Sequence, residues 1–190
     1  MEWFCSDLHF CHNKDFIYKT RGFDSIDEHD KAIVHNWNSV VNHDDGVYLL
    51  GDLMLNDNDR GLELLDKLNG QFKLIILGNH DTINRKELYK DIMRNHNDDG
   101  SCHIYEAKTI NLGKWRFYLS HYPTITANFN DDKKRLPLVN LFGHTHSFDK
   151  FYNNNNPYMY NVSLEAHNMF PVNIEQIKED IRNKVRENAL

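Results

Sequence analysis

The residues best suited to chemistry stand directly after short apolar runs. Phe4-Cys5-Ser6 leads into Asp7 and His9, Val47 to Leu50 into Gly51-Asp52, and Leu74 to Leu77 into Gly78-Asn79-His80-Asp81. Phe117 to Ser120 leads into His121, and Val139 to Phe142 into Gly143-His144-Thr145-His146. Carboxylate, imidazole and one amide, with no thiolate nearby except Cys11, suit Mn, Fe or Zn in a catalytic role better than a closed structural zinc site. The ligand candidates are too many for one ion and enough for two. A single carboxylate, for which Asp52 is the choice, can bridge a pair held about 3.5–4 Å apart.

These residues must be brought together by the elements that carry them. The apolar runs read as strands over Glu2 to Cys5, Val47 to Leu50, Phe72 to Leu77, Cys102 to Ile110, Trp115 to Leu119, Leu138 to Phe142 and Tyr158 to Val162. In an open α/β sheet, side chains at the carboxyl ends of strands meet in one crevice, so groups far apart in sequence converge. Asp7 and His9, like His144 and His146, are spaced i and i+2, which points both to one side of an extended backbone.

Helices fall between some of the strands. Ser25-Ile26-Asp27-Glu28 has the form of a capping box and opens a helix over 26–41, with Ile33, Trp37, Val40 and Val41 at helical spacing. Residues 60–68 and 84–95 form two more. Asn173 caps the last, whose stripe of Ile174, Ile177, Ile181 and Val185 is a core-facing surface. Asn111-Leu112-Gly113-Lys114 between two strand-like runs predicts a tight hairpin, so part of the sheet is antiparallel. Asn153 to Asn156 reads as a surface loop. No linker or repeat divides the chain, and residues 1–190 are expected to form one domain.

Composition sets outer bounds. With 40% hydrophobic and 26% charged residues, the 190-residue chain has enough apolar content to bury a core and is not a disordered type. Three cysteines, Cys5, Cys11 and Cys102, with no Cys-x-x-Cys pair and no secretory-type leader, point to a reducing compartment and hence the cytoplasm. No apolar stretch approaches the roughly 20 residues of a membrane span. The formal charge of −6 gives no footprint for an extended nucleic-acid surface.

The five motifs, in this order, resemble those of the calcineurin-like metallophosphoesterase superfamily: Asp7-Leu8-His9, Gly51-Asp52, Gly78-Asn79-His80-Asp81, His121 and Gly143-His144-Thr145-His146. The resemblance implies an α/β fold in which two mixed β-sheets form a sandwich flanked by helices. It implies one metal on Asp7, His9, Asp52 and His146, and a second on Asp52, Asn79, His121 and His144, with Mn²⁺ favoured in vitro. It also implies that His80 faces the scissile phosphate and assists the leaving oxygen during in-line attack by a metal-bridging hydroxide. Asp81 is then expected to orient the His80 ring and raise its pKa. Two divalent ions leave the site positive within an acidic chain, which draws in an anionic phosphate.

Other residues carry weaker signals. His12, three residues beyond His9, and Arg21, a potential bidentate donor, are candidate phosphate contacts. The remaining histidines of the twelve read as surface or capping groups. Lys133-Lys134-Arg135 is either a solvated run or an aid to holding an acidic substrate. Cys11 is either a packing residue or an oxidation-sensitive thiol.

The expected activity is hydrolysis of a phosphodiester or nucleotide. A protein Ser/Thr phosphatase, a nuclease and an inactive scaffold are the alternatives. The Ser/Thr phosphatase branch carries Gly-Asp-x-Val-Asp-Arg-Gly and Gly-Asn-His-Glu, from which Gly51 to Asp57 and Gly78 to Asp81 depart. A scaffold is expected to lack a ligand or His80, and none is missing.

Overall fold

A computed structural model describes residues 1–126, 137–153 and 155–189; the Lys133-Lys134-Arg135 run lies outside them. Four strands follow one another in parallel: β1 (Glu2–Cys5), β2 (Gly46–Leu50), β3 (Gln71–Ile76) and β4 (Ile104–Tyr105). The short β9 (Val172–Asn173) closes the other edge of β1 in antiparallel fashion, giving the order β4-β3-β2-β1-β9. The second sheet runs β5 (Ala107–Leu112), β6 (Trp115–Ser120), β7 (Leu138–Phe142) and β8 (Met159–Asn161). Its first pair is the expected hairpin, with Leu112 opposite Trp115, and the other pairs are parallel. Both sheets are therefore mixed.

Alternation along the strands assigns the two faces. Phe4, Tyr48, Leu50, Leu74 and Ile76 point into the sandwich and meet Phe117, Leu119, Val139, Leu141 and Tyr160 of the second sheet. Phe4 stacks on Tyr48 at 4.7 Å and reaches Phe117 across the layers at 6.4 Å. On the opposite face, Cys5, Val47, Leu49 and Ile75 are covered by three helices, α2 (Ile26–Val40), α3 (Asn58–Asp66) and α4 (Ile83–His96). Ile33 and Trp37 of α2, Leu64 and Leu65 of α3, and Tyr89, Ile92 and Met93 of α4 fill that layer. Burying such side chains contributes about 1.5–3 kcal/mol each.

The helix signals hold. Ser25 Oγ accepts from the Glu28 amide at 3.2 Å, while the Glu28 carboxylate takes the amide of Asp24, one residue before the cap. In α5 (Ile174–Glu187), Asn173 accepts from the Gln176 amide, and Ile174, Ile177 and Ile181 are buried. Val185, at the end of that stripe, is 37% exposed, so the core-facing surface ends at Ile181.

One expected strand is two. The run Cys102 to Ile110 divides at Glu106: Ile104 and Tyr105 pair with β3, and Ala107 begins the second sheet. Both pieces have β-forming composition, and propensity does not register a change of partner. Three elements are too short for periodicity to reveal: α1 (Asp15–Tyr18), a 3-10 turn over Leu164–His167, and β9. Among the described residues, no helix is long and apolar enough to cross a membrane.

Candidate metal centre

Asp7 and His9 follow β1, Asp52 follows β2, Asn79 and His80 follow β3, His121 follows β6, and His144 and His146 follow β7. The carboxyl ends of both sheets thus open on one crevice, and the seven expected ligands gather there. Asp7 Oδ1 lies 3.7 Å from His9 Nε2 and 3.7 Å from His146 Nε2, and those two nitrogens face each other at 3.2 Å. Asp52 Oδ2 lies 3.7 Å from His9 Nε2 and 3.4 Å from His121 Nε2. Asn79 Oδ1 sits between His121 Nε2 at 3.0 Å and His144 Nδ1 at 2.8 Å.

Convergence does not come from an extended backbone. Asp7, His9, Asp52, His144 and His146 all have positive φ, from 49° to 66°. Left-handed residues interrupt the ends of β1, β2 and β7 and turn alternate side chains into the crevice, whereas Asn79 and His121 reach it without one; such conformations cost of order 1 kcal/mol or more each and gather at functional sites. The glycines serve close approach. A Cβ on Gly143 would fall 2.2 Å from Asp7 Oδ2, and one on Gly51, at φ +92°, would fall 2.6 Å from His121 Nδ1.

The donor set fits divalent cations. Asp7 is fully buried, and its Oδ1 has no hydrogen-bond partner among the described residues although it faces two imidazole nitrogens. Asp7, His9 and His146 offer ligand atoms within 4.8 Å of one another, as do Asp7, Asp52 and His121. A buried carboxylate oxygen is seldom left without a partner, and carboxylate with imidazole is a donor set for Mn, Fe or Zn.

The electrostatics agree. Burial alone would lift the Asp7 carboxyl, but His9, His121 and His146 outweigh it and hold it well below the usual carboxylate range. Burial is likewise opposed at Asp52, chiefly by His121, and that carboxyl is also lowered. His121 resists burial through Asp52 and Asp7, which push it up to about 9. Burial lowers His9 and His144.

His80 stands apart from the ligands. Its backbone amide donates to Asp52 Oδ1 at 2.9 Å, while its side chain is 39% exposed with Nε2 4.0 Å from Asp52 Oδ2. Asp81 does not reach that ring. Its Oδ2 accepts from the amides of Asp52 and Gly78 at 2.7 and 2.8 Å, and its Oδ1 from the Tyr89 hydroxyl at 2.6 Å. It ties together the loops after β2 and β3, because its side chain turns inward under the Gly78 turn.

His12 and Arg21 also face inward. His12 is 5% exposed and its Nδ1 lies 3.1 Å from Nδ1 of His9, so it supports the His9 ring. Arg21 directs its donors to the carbonyls of Asp7 and Leu8, to His29 Nε2 and twice to Glu165 Oε1, leaving no N–H for a phosphate. Cys11 is 6% exposed, and burial pushes its thiol up to about 12, which removes the thiolate that oxidation requires.

Glu165, in the 3-10 turn, is absent from the sequence reading. Its Oε1 accepts from His146 Nδ1 at 2.6 Å. The strand-like stretch Tyr158 to Val162 leads into Ser163-Leu164-Glu165, so Glu165 lies past a strand end as Asp7 lies past β1.

A model of the calcineurin-like phosphoesterase superfamily domain matches residues 3–162. The uncharacterized protein MJ1445 of Methanocaldococcus jannaschii is 31% identical over 175 residues, covering 90% of this chain and 86% of that protein. The Gene 66 protein of Mycobacterium phage D29 is 30% identical over 196 residues, covering 94% of this chain and 96% of its own. Among solved structures, the protein of unknown function AQ665 from Aquifex aeolicus aligns with a TM-score of 0.63 at 25% identity, covering 94% of this chain and 98% of that one. The matched segment takes in all five strand-end motifs, and the chain belongs to the calcineurin-like phosphoesterase superfamily.

Proposed function

We propose that this chain is a dinuclear-metal-dependent hydrolase of phosphate esters, acting on a phosphodiester or nucleotide. The observation that carries this reading is the position of Asp52 Oδ2, within 3.7 Å of His9 and 3.4 Å of His121, where one carboxylate oxygen serves both halves of the centre. Asp7, His9, Asp52 and His146 would hold one ion, and Asp52, Asn79, His121 and His144 the other. Two divalent ions supply Lewis-acid charge on the phosphoryl oxygens and a water of lowered pKa.

The chain's own groups do the rest. His80, half-exposed over Asp52, can hold a proton for the departing oxygen, and such acid assistance is worth about 10²–10⁴ in rate. Exposed rings, Phe16 edge-on to His12 and Tyr122 against His144, offer apolar surface to the alcohol part of an ester. Three unpaired thiols support a cytoplasmic setting.

The test is hydrolysis of bis-p-nitrophenyl phosphate beside p-nitrophenyl phosphate by metal-stripped protein resupplied with Mn²⁺. Turnover should depend on the metal, favour the diester, and fall about 10²–10⁴-fold in His80→Ala with metal content unchanged. Absence of metal-dependent turnover of either ester, with two ions bound, would defeat the hydrolase reading. A strong monoester preference would defeat the diester assignment alone.

A further inference from the structure

Three of the imidazoles of the centre meet unlike partners at Nδ1. His121 meets the Leu50 carbonyl at 2.8 Å and His9 meets His12 at 3.1 Å. His146 meets a carboxylate, that of Glu165, at 2.6 Å. The need for restraint differs as well. The His121 side chain is fully buried at the end of a strand, whereas the His146 side chain is 35% exposed and rides on a left-handed residue outside any strand.

Glu165 is itself fixed. It is 3% exposed and takes Arg21 Nε at 2.9 Å and Nη2 at 2.7 Å on the same Oε1 that receives His146. The Arg21 guanidinium continues to the carbonyls of Asp7 at 2.7 Å and Leu8 at 3.3 Å. A single buried pair thus joins the loop that carries Asp7 and His9 to the ring of His146, the three residues of one ligand group. Glu165 also lies beyond residues 3–162, the segment matched to the superfamily domain.

We propose that Glu165, clamped by Arg21, is a positioning residue that fixes the His146 ring, so that the Asp7–His9–His146 metal position depends on it and the Asp52–Asn79–His121–His144 position does not. The inference rests on the two-ion reading above. A carboxylate on the far nitrogen of a metal-binding imidazole sets its tautomer and orientation, and losing such a partner typically weakens metal binding about 10–100-fold. Glu165 touches neither substrate nor metal in this arrangement.

The experiment is a Mn²⁺ titration of the metal-stripped full chain by calorimetry, with electron paramagnetic resonance to distinguish spin-coupled from isolated Mn²⁺, for wild type and Glu165→Gln. The expected result is one ion weakened about 10–100-fold and the other changed less than about threefold, with the coupled signal replaced by an isolated one at intermediate Mn²⁺. Equal weakening of both ions, the mark of a merely structural role, would overturn the proposal, as would wild-type binding of both. Should Glu165→Gln not fold, Glu165→Asp keeps the charge opposite Arg21 but withdraws the oxygen from His146. The same selective loss is expected from it, and two wild-type affinities would overturn the proposal. If wild type itself binds fewer than two ions, the two-ion reading fails and takes this one with it; two unchanged ions in the variant defeat this inference alone.

Discussion

The two halves of the proposed centre are built differently. Around Asp7, His9 and His146 the support is a buried polar chain: His12 behind His9, Glu165 behind His146, Arg21 behind Asp7, and beyond Arg21 the pair His29–Asp30 at 2.9 Å. Around Asp52, Asn79 and His121 it is largely backbone. The Leu50 carbonyl holds His121, and Asp81 gathers two amides from neighbouring loops and a phenol from α4. The first half depends on balanced charge; the second depends on the register of β2 and β3 and on one inward carboxyl. Burial, the largest influence on Asp81, raises it above the usual carboxylate range despite those three donors.

Removing Asp81 should break the second half most severely. Asp81→Ala strands the amides of Asp52 and Gly78 and the Tyr89 hydroxyl, and urea unfolding should show a loss of about 2–4 kcal/mol. Mn²⁺ titration should show the Asp52–His121 ion weakened more than the other, the mirror image of the Glu165 result. A loss below about 1 kcal/mol would mean that strand register alone holds that half. Tyr89→Phe probes the same tie more gently. It should lower stability by about 1 kcal/mol, with hydrolysis retained, and a collapse of activity would show that the phenol does more than satisfy Asp81.

A further effect concerns acid, and it bears on the first half. His167 closes the 3-10 turn that carries Glu165, facing the Asn161 carbonyl through Nε2 at 2.8 Å. Burial lowers it to about 4. The unfolded chain takes up this proton near pH 6.5 and the folded chain near 4. The contribution is therefore present above pH 6.5 and is lost as pH falls from 6.5 to 4. His167→Gln keeps a donor for Asn161 and should flatten the slope of urea midpoint against pH over that window. An unaltered slope would place the sensitivity elsewhere.

Much of this centre was legible in the sequence because its ligands sit where chain topology puts them. Any residue just past the carboxyl end of a central strand reaches the crevice, so Asp7, Asp52, Asn79, His121 and His144 could be read from apolar runs and their followers. The supporting groups were not legible in the same way. Arg21, His12 and Asp81 have residue types as fit for substrate as for structure, and only their folded partners, Glu165 and His29, His9, and Tyr89 with two amides, aim each inward. Glu165 carried the strand-end signal, but β8 is three residues long and the turn after it shows no period. The left-handed backbone at five ligands leaves no trace in composition, since Asp and His tolerate many conformations. The division at Glu106 was hidden because both of its sides favour strands.

The Arg21–Glu165 pair also orders events in time. Its partners are 144 residues apart, and the β9 segment that seals the outer edge of β1 comes later still. A chain emerging from the ribosome, at about 5–20 residues per second, carries Asp7 and His9 for about 8–30 seconds before Glu165 exists to complete their surroundings. The surroundings of Asp7 and His9 are therefore completed only after the segment carrying His146 and Glu165 has been made.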